Sequence, residues 1–142
     1  MKQEFLMLAD GAEAVNGKIY IIGGGVERHL APAFPAALRA DIAVGILVDW
    51  SETNQRQALK IRIADEDGKP IATIEAEFEA GRPPGAKPGQ DFRTLMAIKG
   101  PIPIPRAGAY KIQLELNGVE QDPPFRFWVD HLDLVPATAP PA

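Results

Sequence analysis

The segment Tyr110-Lys111-Ile112-Gln113-Leu114-Glu115-Leu116-Asn117 alternates apolar and polar residues at every step. A period of two sends successive side chains to opposite faces of an extended strand. One set, Tyr110, Ile112, Leu114 and Leu116, is expected in a core, and the interleaved polar set in water. The pattern recurs over 58–64, with Leu59, Ile61 and Ile63 against Lys60 and Arg62. It returns over 71–78, with Ala72, Ile74, Ala76 and Phe78 expected inward and Glu75 and Glu77 outward. Asp65-Glu66-Asp67-Gly68 lies between these two runs and supplies the turn chemistry of a hairpin, with Gly68 at a position that needs positive φ.

The remaining segments fit the same class. Phe5 to Leu8 is a first strand, Asp10 to Gly17 a turn region, and Lys18 to Ile22 a second strand stopped by Gly23-Gly24-Gly25. Val26 to Leu30 is expected to continue that strand past a bulge. Ala40 to Val48 is apolar at nearly every position, as in a strand covered on both sides. Ser51 to Gln57 offers a short helical turn that Ser51 could cap. Gly81 to Gln90 is a loop, and Phe92 to Lys99 and Phe125 to Val129 are strands. Pro101, Pro103 and Pro105 confine their segment to a sheet edge. Leu132 to Val135 is expected as a short edge piece.

About eight to ten short strands without a helical period predict an all-β, two-sheet antiparallel sandwich of immunoglobulin-like or jelly-roll type. Ala107-Gly108-Ala109-Tyr110 sharpens this, because a small-Gly-x-Tyr step into a strand resembles the tyrosine corner of such sandwiches.

The chain of 142 residues suits one domain, here residues 1–135, followed by a disordered tail over 136–142. A chain of this size buries roughly 70% of its unfolded surface and needs no disulfide or metal to fold. Its net charge of -4 gives no reason to expect nucleic acid. The absence of cysteine excludes disulfides, thiolate metal sites and cysteine nucleophiles. The apolar run from Phe5 to Ala9 is too short for a signal-peptide core, and no run approaches the ~18 apolar residues of a membrane span. A cytoplasmic protein with no cofactor, metal or membrane partner is the expectation.

Several groups invite a functional reading. The Gly23-to-Gly25 run follows a strand as phosphate loops do, but Val26-Glu27-Arg28 breaks the fingerprint, which leaves a bulge or turn. Asp65, Glu66 and Asp67 offer oxygens for calcium, or simply a solvated hairpin tip. His29 and His131 are the only histidines and Ser51 the only serine, so a hydrolytic triad must use them. Glu75 and Glu77 could serve as paired carboxylates, or as a solvated sheet face. The best binding candidates lie on the basic, proline-stiffened loop: Arg82, Pro83, Pro84 and Lys87, with Phe92 at its exit. The same loop could equally be a crossover between the two sheets. Trp50 and Trp128 carry the same ambiguity between recognition and structure, and the outward-facing aromatic of the 127–128 pair is either an interface anchor or a residue lying under the C-terminal segment. Since Trp128 alternates with Phe127, one of the two faces away from the core.

The segments Phe5 to Asp10, Asn16 to Gly25, Trp50 to Asn54, Asp65 to Gly68 and Gly81 to Gly85 resemble a small bacterial family known as a domain of unknown function. The resemblance covers nearly the whole chain. It implies a single bacterial cytosolic domain and carries over no catalytic residue.

Taken together, these features point to a non-catalytic binding or assembly module that meets a protein partner or a second copy of itself. A small-molecule or carbohydrate-binding sandwich, with the ligand between the Arg82 loop and an exposed tryptophan, is the first alternative. A hydrolase using His29 or His131 is the other.

Overall fold

The computed structural model describes residues 1–134. The tail expected over 136–142 lies outside them, as does Val135. In chain order the strands are β1 (Lys2–Val15), β2 (Lys18–Gly24), β3 (Arg28–Ala31), β4 (Ala36–Leu38), β5 (Asp41–Val48), β6 (Arg56–Asp65), β7 (Pro70–Glu79), β8 (Phe92–Ile98), β9 (Ile102–Ile104), β10 (Gly108–Leu116), β11 (Val119–Glu120) and β12 (Phe125–His131). Sheet A has the order β2-β1-β5-β8, and sheet B the order β3-β12-β10-β6-β7 with β11 beside β10. β4 and β9 form a separate two-stranded ribbon.

The two sheets pack face to face, as the alternation requires. Sheet A contributes Leu6, Leu8, Ile42, Val44, Ile46 and Val48 to the core. Sheet B contributes Leu59, Ile61, Ile63, Ile112, Leu114 and Phe127, and the ribbon adds Ile102 and Ile104. The expected all-β sandwich is therefore present, antiparallel in every strand pair except β12 with β3, which run parallel. The tyrosine corner is present too: the Tyr110 hydroxyl donates to the carbonyl of Arg106, four residues upstream.

Local expectations fare unevenly. The hairpin of β6 and β7 has the expected turn, with Gly68 at φ 83°. Ala76 is exposed rather than inward, because β7 is the outermost strand and the core does not reach under that position. The turn expected over Asp10 to Gly17 shrinks to Asn16-Gly17, at φ 51° and 74°, and β1 continues to Val15. An Asn-Gly pair at positive φ closes a two-residue hairpin without further turn residues, so the strand can run up to it. Val26 to Leu30 does not extend β2. After Gly25 the chain leaves sheet A, and β3 joins sheet B beside β12. Leu132 to Leu134 is a 3₁₀ turn, not a strand.

The short helical turn spans Trp50–Glu52 and its N-cap is Asp49, not Ser51. Glu52 then sits three residues on, and the Asp49 N–H donates to its Oε1 at 3.3 Å. In β10, Gln113 and Glu115 are buried although they point away from the core. Gln113 donates from Nε2 to the Gln121 carbonyl at 2.5 Å, and Glu115 pairs with Arg62 at 2.5 Å. Partners on neighbouring strands replace the water that alternation alone would predict.

Asp41, at the start of the interior strand β5, ties β1 to the segment that follows β8. Its carboxylate accepts from the Ala12 N–H (2.9 Å), the Gly100 N–H (3.1 Å) and Lys99 Nζ (3.0 Å). Burial pushes its pKa up, but these three donors outweigh burial and hold it below the ordinary carboxylate value.

Candidate functional site

The sequence candidates separate into two groups at opposite ends of the sandwich. Trp50, Arg82 and Phe92 converge at the end where β5 stops and β6 and β8 start. The Arg82 guanidinium lies 3.6 Å from the centroid of the Trp50 ring. Its Nε donates to Thr53 Oγ1 at 2.6 Å and its Nη2 to the Trp50 carbonyl at 2.9 Å. Phe92 is buried, with its ring 6.0 Å from Trp50. Two of the five N–H groups of Arg82 are thus engaged with its own chain, and one face of the guanidinium is covered by Trp50. The loop carries the chain from β7 in sheet B to β8 in sheet A, and Arg82 tethers its start. Pro83, Pro84 and Lys87 stay exposed beyond the tether.

Trp128 lies elsewhere. Phe127 is fully buried and Trp128 is 37% exposed, so the aromatic that faces away from the core is Trp128. Its strand partners are Ala109 on one side and Arg28 on the other, at the Gly108 end of β10. The Arg82 loop is beside the other end of that sheet, so no ligand can sit between Arg82 and this exposed tryptophan. Of the two tryptophans, the one beside the Arg82 loop is Trp50.

Around Trp128 the pairing places three cations on the same outer face. Arg28 lies directly across on β3, with its guanidinium 5.9 Å from the Trp128 ring centroid. Arg126 is two residues earlier on β12 and pairs with Lys111 on β10. A hollow of about 170 Å³ beside Trp128 is lined by Lys111, Arg126, Tyr110, Ala109, Gly68, Asp65 and Glu66. Asp65 is already spent. Its Oδ1 accepts from the Lys69 and Asp67 amides (2.9 and 3.0 Å), and its Oδ2 from Arg106 at 3.0 Å. The Lys69 amide first and Arg106 next hold its pKa below the ordinary carboxylate range. Glu66, in the hollow, Asp130, two residues beyond Trp128, and Glu27, whose carbonyl accepts the Trp128 N–H at 2.7 Å, are acidic groups near the patch.

The rest of this face is different. Arg56 pairs with Glu77 at 3.5 Å, Lys60 with Glu75 at 3.5 Å, and Arg62 with Glu115 at 2.5 Å. The two exposed pairs, Arg56–Glu77 and Lys60–Glu75, add little stability, but all three cancel charge locally. Glu75 and Glu77, read earlier as candidate paired carboxylates, each face a cation across the strands. A broader groove of about 590 Å³ over this region is lined by Lys60, Glu75, Glu77 and Glu115 among small and apolar residues, and no aromatic ring lines it. Among the described residues, Arg28, Lys111 and Arg126 form no ion pair.

The histidines and the serine do not meet. Ser51 lies in the turn after β5, beside Trp50. His29 and His131 are on β3 and β12 near the Gly108 end of β10. Eight strand residues at ~3.3 Å each separate the two ends, far beyond hydrogen-bond reach. His29 packs edge-on against Phe127 at 6.0 Å, and burial pushes its pKa below the usual histidine value. Its buried Nε2 has no hydrogen-bond partner among the described residues. His131 Nδ1 accepts from the Asp133 amide at 3.2 Å. The Asp65-to-Asp67 turn leaves little for calcium, because Asp65 serves backbone amides and Arg106. Among the described residues, no group of three or more His, Asp or Glu side chains is placed to hold a metal ion.

Sequence reasoning found Trp128 but missed Arg28, Lys111 and Arg126. The alternation of β12 carries one of the missing signals. If Phe127 points inward, Arg126 and Trp128 share the outer face. Arg28 and Lys111 join them only through the pairing of distant strands, which no local spacing encodes.

The fold and this face define a β-sandwich with a tyrosine corner and a tryptophan-centred cationic patch on one sheet. The chain matches the family of unknown function DUF6941 over residues 4–125, and it belongs to that family. Comparison with curated proteins gives no match. Among the described residues, no helix is long and apolar enough to cross a membrane.

Proposed function

We infer that this protein is a non-catalytic recognition module that docks an acidic segment of a partner protein on the outer face of sheet B around Trp128. The observation that carries the reading is the contrast in charge along one face. Arg56, Lys60 and Arg62 are each matched by a glutamate, whereas Arg28, Lys111 and Arg126 surround an exposed tryptophan without a carboxylate partner. Tryptophan and arginine are the side chains that dominate binding energy at interfaces. Unpaired cations select an acidic partner and steer its approach.

The shape favours a macromolecule over a small ligand. Pockets that bury a small molecule run to roughly 300–1,000 Å³, and the hollow beside Trp128 holds about 170 Å³. Leu30, exposed on β3 two residues from Arg28, extends the contact with an apolar rim that a protein segment can use. The cysteine-free sequence supports a reducing compartment such as the cytosol as the place of work.

The test is fluorescence anisotropy with a labelled glutamate-rich peptide that contains one leucine. A lysine-rich peptide and inorganic polyphosphate serve as comparisons. Saturable binding is expected for the acidic peptide, weakened at least ~10-fold by Trp128→Ala and further by Arg126→Glu, while Lys87→Glu leaves it unchanged. Equal binding of the lysine-rich peptide, equal binding of polyphosphate, or indifference to Trp128→Ala would overturn the reading.

A further inference from the structure

We propose that the free edge of β2 pairs antiparallel with the same edge of a second copy, joining two A sheets into one. This interface lies on the other sheet from the Trp128 patch and does not depend on it. Edge strands invite pairing unless charge, proline or shortness blocks them. In sheet B, β7 begins at Pro70 and carries Glu75, Glu77 and Glu79, so two copies would set like charges against each other. β3 has only four residues. In sheet A, the apolar residues of β8 are half-buried. β2 alone combines seven residues, no proline and no acidic residue with large exposed apolar side chains. Tyr20 is 57% and Ile22 72% exposed. Among the described residues, β2 makes backbone ladder contacts only with β1.

The occupant follows from self-complementarity. A two-fold axis through Ile21 sets Tyr20 opposite Ile22 of the second copy, and Ile22 opposite its Tyr20. Aromatic residues facing β-branched ones are favourable cross-strand pairs, and this register makes two. The same register sets Lys18 opposite the other copy's Gly24, so no like charges face each other across the pair. Moving the axis to Tyr20 would set Lys18 against Ile22 and lose both Tyr20–Ile22 pairs. The closed two-fold arrangement leaves no further β2 edge free, so association stops at a dimer.

Two experiments test this on the full chain. Sedimentation equilibrium over a wide concentration range is expected to show a monomer–dimer equilibrium. Ile22→Lys is expected to leave the circular dichroism spectrum and melting temperature unchanged, since the side chain is exposed, and to leave only monomer. The chain has no cysteine of its own, so Ile21→Cys is a clean probe. Directly opposed residues in an antiparallel pair have Cα atoms about 4.5–5.5 Å apart, within disulfide range, and mild oxidation is expected to give a covalent dimer. A monomer at every concentration, a dimer that survives Ile22→Lys, or an Ile21→Cys chain that stays uncrosslinked under oxidation would overturn the proposal.

Discussion

Replacing Phe127 with alanine is expected to remove about 3–5 kcal/mol of folding stability. The ring is fully buried and stands at the crossing of three structural themes. It stacks on Tyr110 at 5.5 Å and 24°, so it backs the tyrosine corner. It receives the edge of His29 from the outermost strand of sheet B. It also faces the core residues that sheet A contributes. Truncation leaves a cavity that rigid strands on both sides cannot close, so the loss includes the cavity term as well as the transfer term. Small domains are stable by only about 5–15 kcal/mol, so this one change should consume a large share. Urea denaturation is the check. The midpoint should fall sharply with the slope unchanged, because the surface exposed on unfolding stays nearly the same. A loss under about 1 kcal/mol, the cost of an ordinary substitution, would mean that Phe127 is not where the two sheets meet.

The second large effect is expected at Gly100. A Cβ built there would fall on the backbone carbonyl oxygen of Ala40, and a backbone atom has no rotamer by which to move aside. The neighbourhood is also tied, since the Gly100 N–H and Lys99 Nζ both donate to Asp41, the residue after Ala40. Gly100→Ala must therefore either separate the chain from Ala40 or break the Asp41 knot. A cost of about 1–3 kcal/mol is expected, as for overpacking a close contact. Gly81→Ala is the control. A Cβ at Gly81 meets nothing within 4 Å, so its melting temperature should stay near that of the unchanged chain. Equal stability of the two variants would show that β5 and the segment after β8 are not in the register described.

The legible part of this fold was the part governed by local spacing. The alternation of β10 named Tyr110, Ile112, Leu114 and Leu116 as core residues, and all four are buried. The step Gly108-Ala109-Tyr110 named the corner, and the phenol closes on Arg106. What failed depended on partners far along the chain. Gln113 and Glu115 are buried because Gln121 and Arg62 come to them, not because of their own positions in the pattern. β3 crosses to sheet B because β12 offers an edge there, about a hundred residues away along the chain.

The candidate site divides in the same way. Trp50, Arg82 and Phe92 were named separately, and the fold brings them together, but as a tether at the start of the crossover loop. Trp128 was named as facing outward or lying under the C-terminal segment, and its exposure settles its direction. The three cations that give it a chemical character come from three strands, and only Arg126 shares its strand. A single sequence shows residues along a line, whereas a binding face on a sheet is assembled across the strands.

The most direct test of the central claim is collisional quenching of tryptophan fluorescence by iodide and by caesium, in the unchanged chain and in Trp128→Phe. An exposed indole ringed by unpaired cations attracts the anion and repels the cation. The account predicts that iodide, with each ion's quenching scaled to that of free N-acetyltryptophanamide, quenches more effectively than caesium at equal ionic strength, and that this preference falls when only Trp50, stacked beneath Arg82, is left to report. An equal or greater response to caesium, or an iodide preference undiminished in Trp128→Phe, would contradict it.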